Sequence, residues 1–206
     1  MPLFGQNVKR LKKKGNIIGL IKALENPDWN VRNDAALALD ELSWEPSSNK
    51  ERVYYGIAKK MWEEVKSLGE IAIEPLIEAL ALNIIHNDAA FTLGKIGDPR
   101  AIPALIQMLG KEMERSSGLL AVPGFQASVM IYAATALNMI GKPAIGPLVQ
   151  ALGSEHKPTQ AGAALTLSGM GEQAVAPLSQ ALDDENQIIR ESAAKLIEKI
   201  KTDGDS

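Results

Sequence analysis

The stretch HNDAAFTLGKIGDPRAIPALIQML, His86–Leu109, sets an alanine pair, a Leu-Gly-x-Ile-Gly ending and a Pro-Ala-Leu-Ile run in fixed order. That order recurs along the chain. Aligned on their alanine pairs, five segments fall in register: VRNDAALALDELS from Val31, IHNDAAFTLGKIG from Ile85, VMIYAATALNMIG from Val129, TQAGAALTLSGMG from Thr159 and IRESAAKLIEKIK from Ile189. Each follows a second pattern: IIGLIKAL ending at Leu24, AIEPLIEAL at Leu80, AIPALIQML at Leu109, AIGPLVQAL at Leu152 and AVAPLSQAL at Leu182. Leu152 and Leu182 are 30 residues apart, and Leu80 and Leu109 are 29 apart. Self-similarity at that period marks stacked units that bury their apolar faces only against one another.

Both halves of the unit read as helices. Val31, Ala35, Leu39 and Leu42 are spaced 4, 4 and 3, which is one helical stripe. Gly97, Gly141 and Gly171 sit just past the last apolar position, where a left-handed residue ends a helix. Pro75, Pro103, Pro147 and Pro177 are expected in an opening turn, where a missing N–H breaks no intrahelical bond. The alanine pairs let neighbouring helices approach closely. Composition agrees: 46% of residues are hydrophobic but only 4% aromatic, which favours helix over sheet.

The unit x-I-x-P-L-I-x-A-L followed by V-R-x-x-A-A-x-A-L-G-x-I-G resembles the HEAT-repeat family in its short, PBS-lyase-like form, over residues 15–43 and 70–201. The resemblance implies an all-α fold, a right-handed α-solenoid of about five two-helix repeats. In such a fold the first helices line the convex side and the second helices the concave side.

Within a single domain over residues 1–206, two gaps depart from the period. Leu24 to Leu80 is 56 residues, so a helical insertion is expected at 44–69. There Val53, Ile57, Met61, Val65 and Leu68 form a stripe, either packing filler or a support for an aromatic contact made by Tyr54, Tyr55 and Trp62. Leu109 to Leu152 is 43 residues, and the excess reads as an inserted loop at 110–128. Its Leu119, Leu120, Val122 and Phe125 either tuck back onto the stack or touch a partner. The basic start, residues 1–14, reads as a cap helix whose Lys9, Arg10, Lys12, Lys13 and Lys14 either keep the end of the stack soluble or bind an anion or acidic partner.

Chemistry is sparse. The chain has no cysteine, which excludes disulfides, thiolate metal sites and a Cys nucleophile. Its two histidines, His86 and His156, accompany no Gly-x-Ser-x-Gly elbow, and no phosphate-binding glycine loop occurs. A di-iron hydroxylase of the resembled family holds its metals with His-Glu pairs at the start of its second helices. The corresponding pairs here are Arg32-Asn33, His86-Asn87, Met130-Ile131, Gln160-Ala161 and Arg190-Glu191, and none is His-Glu. No metal, cofactor or catalytic residue is therefore expected. Other relatives attach bilins to phycobiliproteins without a dense motif, so an enzyme or accessory of that kind is the alternative to a non-catalytic scaffold.

Net charge is −3, made of +5 in the first fifteen residues and −8 in the rest, which argues against a nucleic-acid-binding body. Neither a membrane span nor a signal peptide is legible, and a monomeric cytoplasmic chain is expected, with neither membrane nor nucleic acid as partner. The expected partner is a protein or peptide. The register sends Trp29, Asn33, Asp34, Leu37, Asn87, Asp88, Phe91, Ile131, Tyr132 and Leu165 to the concave face. That row is more apolar than a solvated surface needs, so it is either a binding groove or buried by curvature and the 110–128 loop.

Overall fold

The structure, a computed structural model, describes residues 3–81, 86–118 and 125–204, and every regular element among them is helical. Helices α1 (Leu3–Lys13), α2 (Ile17–Ala23) and α3 (Trp29–Glu41) come first. They are followed by α4 (Asn49–Ala58), α5 (Trp62–Ser67), α6 (Ile73–Ala81) and α7 (His86–Ile96). Then come α8 (Ile102–Gly118), α9 (Phe125–Ile140), α10 (Lys142–Ala151), α11 (Lys157–Met170), α12 (Glu172–Gln180) and α13 (Gln187–Gly204). Short 3-10 turns cover Gly69–Ala72, Pro99–Ala101 and Ala181–Asp183. The fold is all-α, of the α-solenoid kind: tandem helix pairs stand at the positions that the repeat marks.

The chain forms two compact units, Met1–Thr92 and Leu93–Ser206. In the first, α1 packs on α2 and α3, and Val8, Leu20, Leu24, Val31 and Leu39 fill the space between them. In the second, α8 lies against both α9 and α11, α10 against α11, and α12 against α13. Leu105, Leu109, Leu137, Leu148, Leu167 and Leu178 form that core. The leading alanine of every pair, Ala35, Ala89, Ala133, Ala163 and Ala193, is fully buried. A longer side chain at any of them would have to displace a neighbour.

The helix ends explain where the sequence reading succeeds and where it needs correction. Gly97, Gly141 and Gly171 all have positive φ, as their place after the last apolar residue requires. In the first copy the same register is occupied by Ser43, and it too is left-handed, with φ 53°. An L residue there is held in a conformation that only glycine adopts at no steric cost. Ser43→Gly is therefore expected to raise the unfolding free energy by up to about 1 kcal/mol, since relief of strain outweighs glycine's greater unfolded-state freedom. Urea titration beside the unsubstituted chain reads this, and a lower midpoint would contradict it.

Pro75 and Pro103 lie in opening turns, but Pro147 and Pro177 lie inside α10 and α12. Gly141 and Gly171 start the next helix at once, with Ala144 N–H donating to Gly141 and Ala174 N–H to Gly171, both at 2.9 Å. The helices thus gain a turn ahead of their prolines. The carbonyls left without a helical donor are those of Pro143 and Gln173, four residues back, and both residues face water.

The 44–69 insertion is two helices rather than one stripe. After α4, Lys60 turns left-handed at φ 58°, Met61 N–H donates to Gly56 at 2.7 Å and Lys60 N–H to Ile57 at 3.0 Å. This paired closure ends the helix. α5 then folds back so tightly that a Cβ on Gly56 would stand 2.5 Å from Val65 Cγ2. The expected 110–128 loop is also corrected. Residues 110–118 prolong α8 and 125–128 open α9, while Leu119, Leu120 and Val122 lie outside the described residues, as does the Phe125 side chain.

Candidate functional site

The face expected to meet a partner is described in each unit separately. In the first, Asp28 caps α3 by accepting from Asn30 N–H at 2.9 Å, so the helix opens on Trp29. Trp29, Asn33 and Leu37 then follow at spacings of four along one face of α3. Asn87 and Phe91 hold the matching places on α7. Trp29, Leu37 and Phe91 are 38%, 45% and 36% exposed, and Asp34 is exposed beside them. These are large apolar side chains left in water on helices that have buried their alanines on the other side.

Asn33, Asn87 and Asp88 are half-buried. Burial pushes the Asp88 carboxyl above its ordinary range, and the nearby cations Arg32 and Lys60 pull it down only in part. Lys60, which the repeat register did not single out, joins the two helices of this face. Its ammonium lies 4.4 Å from the centre of the Trp29 ring and also attracts Asp88. It arrives there because the closure of α4 turns its backbone left-handed. Its only trace in the sequence is a lysine pair near the middle of the insertion's stripe.

In the second unit Leu165 is 45% exposed on α11, and Tyr132 is half-buried on α9. The Ile131 side chain lies outside the described residues. The aromatic contact expected from Tyr54, Tyr55 and Trp62 does not form as one site. Tyr54 is buried, its phenol pushed up to about 12 by loss of water. Tyr55 meets Trp44 edge-on at 5.8 Å and donates its hydroxyl to Asp40. Lys59 holds the other oxygen of Asp40 at 2.5 Å. Burial raises the Asp40 carboxyl, but these two donors outweigh it and hold it below the usual range.

A further set of residues was read in sequence only as pairs lacking a metal ligand. Arg32, buried at the fourth position of α3, donates from Nη1 to the carbonyls of Asn26 at 2.8 Å and Pro27 at 2.9 Å. Arg190, fourth in α13, repeats the geometry on Asp184 at 2.7 Å and Glu185 at 2.9 Å. Gln160, fourth in α11, reaches Leu152 at 2.6 Å. This register clamps the turn between the two helices of a unit. The findable signal was a capping Asp or Asn four residues ahead of an arginine, Asp28 before Arg32 and Asn186 before Arg190.

The described residues contain no group of three or more His, Asp or Glu able to hold a metal ion. The His86 side chain lies outside them. His156 precedes α11 and places Nδ1 2.8 Å from Thr159 Oγ1 and Nε2 3.6 Å from Glu114.

Residues 123–202 match the model of the family described as HEAT repeats, and residues 87–111 match that of the PBS lyase HEAT-like repeat. Both matches are to HEAT-type repeats, the family that the sequence resembles. They do not overlap, and they fall on α7–α8 and α9–α13. No curated protein matches the chain. Among solved structures, it is similar to an engineered protein whose crystal structure is a Northeast Structural Genomics Consortium target, at 20% identity and a TM-score of 0.30, covering 96% of this chain and 84% of that one.

Proposed function

We propose that this HEAT-repeat chain is a non-catalytic scaffold that binds a partner protein or peptide through the face its second helices present. The observation that carries the reading is the exposure of Trp29, Leu37 and Phe91 in matching positions of α3 and α7. The chain has only nine aromatic residues, and two of them stand in water on this one face. Large apolar anchors rimmed by Asn33, Asp34, Asp88 and Lys60 have the composition of an interface, aromatic at the centre and polar at the edge. Asp88, half-buried near Arg32 and Lys60, sets a carboxylate at the edge of the same face. Ile131, Tyr132 and Leu165 extend the reading to the second unit. A monomer in the cytoplasm is part of it, in keeping with a chain without cysteine.

The test is affinity capture by the full chain, identification of what is retained, and titration of that partner. Trp29→Ala combined with Phe91→Ala is expected to weaken binding at least about a hundredfold, at ~2 kcal/mol for each anchor. Because both side chains are about a third exposed and otherwise packed, a thermal melt of the double variant checks that the fold survives. Equal affinity in the double variant would sink the reading. A bilin absorbance band that stays with the protein through gel filtration would replace it with the lyase-like alternative.

A further inference from the structure

The first 24 residues carry Lys9, Arg10, Lys12, Lys13, Lys14 and Lys22 and no acidic residue; Glu25 is the first. The structure shows what these cations surround. α1 buries Val8 and packs on α2 and α3. It then turns through Gly15, at φ 60°, into α2, and residues 13–18 are all exposed at this corner. The corner carries Ile18, 82% exposed, with Ile17 beside it; among the described residues the next most exposed large apolar residue is Ile71 at 47%. Among the described residues only Lys12 of these cations forms an ion pair, with Glu41. A shallow cleft of about 560 Å³ beside the corner is lined by Lys9, Lys12, Lys13, Glu41 and Leu42.

We propose that the α1–α2 corner is a contact for an anionic lipid surface. Its lysines would meet headgroup phosphates, with Lys9 and Lys13 offering a cleft to one of them, while Ile18 enters the interfacial layer. Charge alone would suit any acidic partner, and the shape of the apolar part selects among them. A protein hot spot seats its anchor in a pocket, whereas Ile18 stands in water in the first turn of α2, between Lys14 and Lys22 in sequence, a form suited to a soft planar surface. No aromatic side chain lies between the basic residues 9–22 to stack a base, which disfavours nucleic acid. No helix among the described residues is long and apolar enough to cross a membrane, so the contact is a surface one. The sequence offers only the charge, which suits any anion; the exposure of Ile18 points to a lipid surface. The contact is independent of the partner face on α3 and α7.

Co-sedimentation of the full chain with vesicles of phosphatidylcholine alone, or with added phosphatidylserine, tests the proposal. Binding is expected only with phosphatidylserine and should fall as salt rises. Replacing Lys9, Lys13 and Lys14 together by glutamine should weaken it at least roughly tenfold, each lysine near such a surface contributing about a four- to fivefold factor. Ile18→Ser, which leaves the charge and the core untouched, should weaken it by roughly several-fold through lost apolar insertion. Soluble polyglutamate at low salt is the competing arm. No sedimentation with anionic vesicles, full retention by Ile18→Ser, or polyglutamate displacing the vesicles at equal charge concentration would each overturn the proposal, the last in favour of an acidic protein. Circular dichroism confirms that each variant remains folded.

Discussion

Leu148→Ala is expected to lower the unfolding free energy by about 2–5 kcal/mol. Leu148 lies in α10 with no exposure to water. Truncation removes three carbons and leaves a hole between α10 and the helices packed on it, which include α8, α11 and α12. Because helix backbones relax only partly around such a hole, the loss exceeds the transfer term alone. The same register holds Leu20, Leu76, Leu105 and Leu178, and each is fully buried. The penalty should therefore recur at every copy, with the spread set by how far each site collapses. The paired control is Leu165→Ala in the same unit, exposed in the structure and expected to change stability by no more than about 0.5 kcal/mol. Urea titrations of both variants read the contrast. If the two leucines cost the same, the assignment of one to the seam and the other to a surface is wrong. A total stability of typically about 5–15 kcal/mol makes the first variant easy to detect.

That contrast was legible before any coordinates, because a period of 30 residues leaves the seam leucines and buried alanines no other role. The ends of the helices were harder to read. Periodicity reports which residues face the core and says little about the turn before or after them. Gly141 and Gly171 close one helix and open the next with no intervening loop, which carries the helix start upstream of Pro147 and Pro177. Met61 continues the apolar spacing of Val53 and Ile57, so nothing in that spacing shows the left-handed Lys60 that breaks it. A lysine in that conformation has no sequence mark, whereas a glycine would have had one. For the same reason the candidate face was read as Trp29, Leu37 and Phe91 without Lys60. Register predicts which residues of a repeat share a face, and Lys60 reaches that face from an element outside the repeat.

The clamp residues were visible in the sequence but their role was not, and the first of them gives the second large effect. Arg32→Leu is expected to lower stability by about 2–4 kcal/mol. Leucine fills much of the same space, so little of this is a cavity. The loss is electrostatic: the carbonyls of Asn26 and Pro27 lose a charged donor that held them at 2.8 and 2.9 Å, and in the variant they face a hydrocarbon. Burial lowers the affinity of the guanidinium for its proton, while Asp88 and Asp28 oppose that, yet arginine remains charged throughout the accessible pH range. Arg190→Leu makes the matching change at a half-buried site, where water can replace the donor, and should cost about 1 kcal/mol or less. Arg32→Lys separates charge from geometry. One ammonium on a flexible stem must reach the two carbonyls that the N–H pair of Nη1, fixed by the planar guanidinium, already meets, so only part of the stability should return. Thermal melts of the three variants rank Arg32→Leu lowest, Arg32→Lys between, and Arg190→Leu nearest the unsubstituted chain. Reversal of the first and last would mean that the turn between α2 and α3 is held by something other than Arg32.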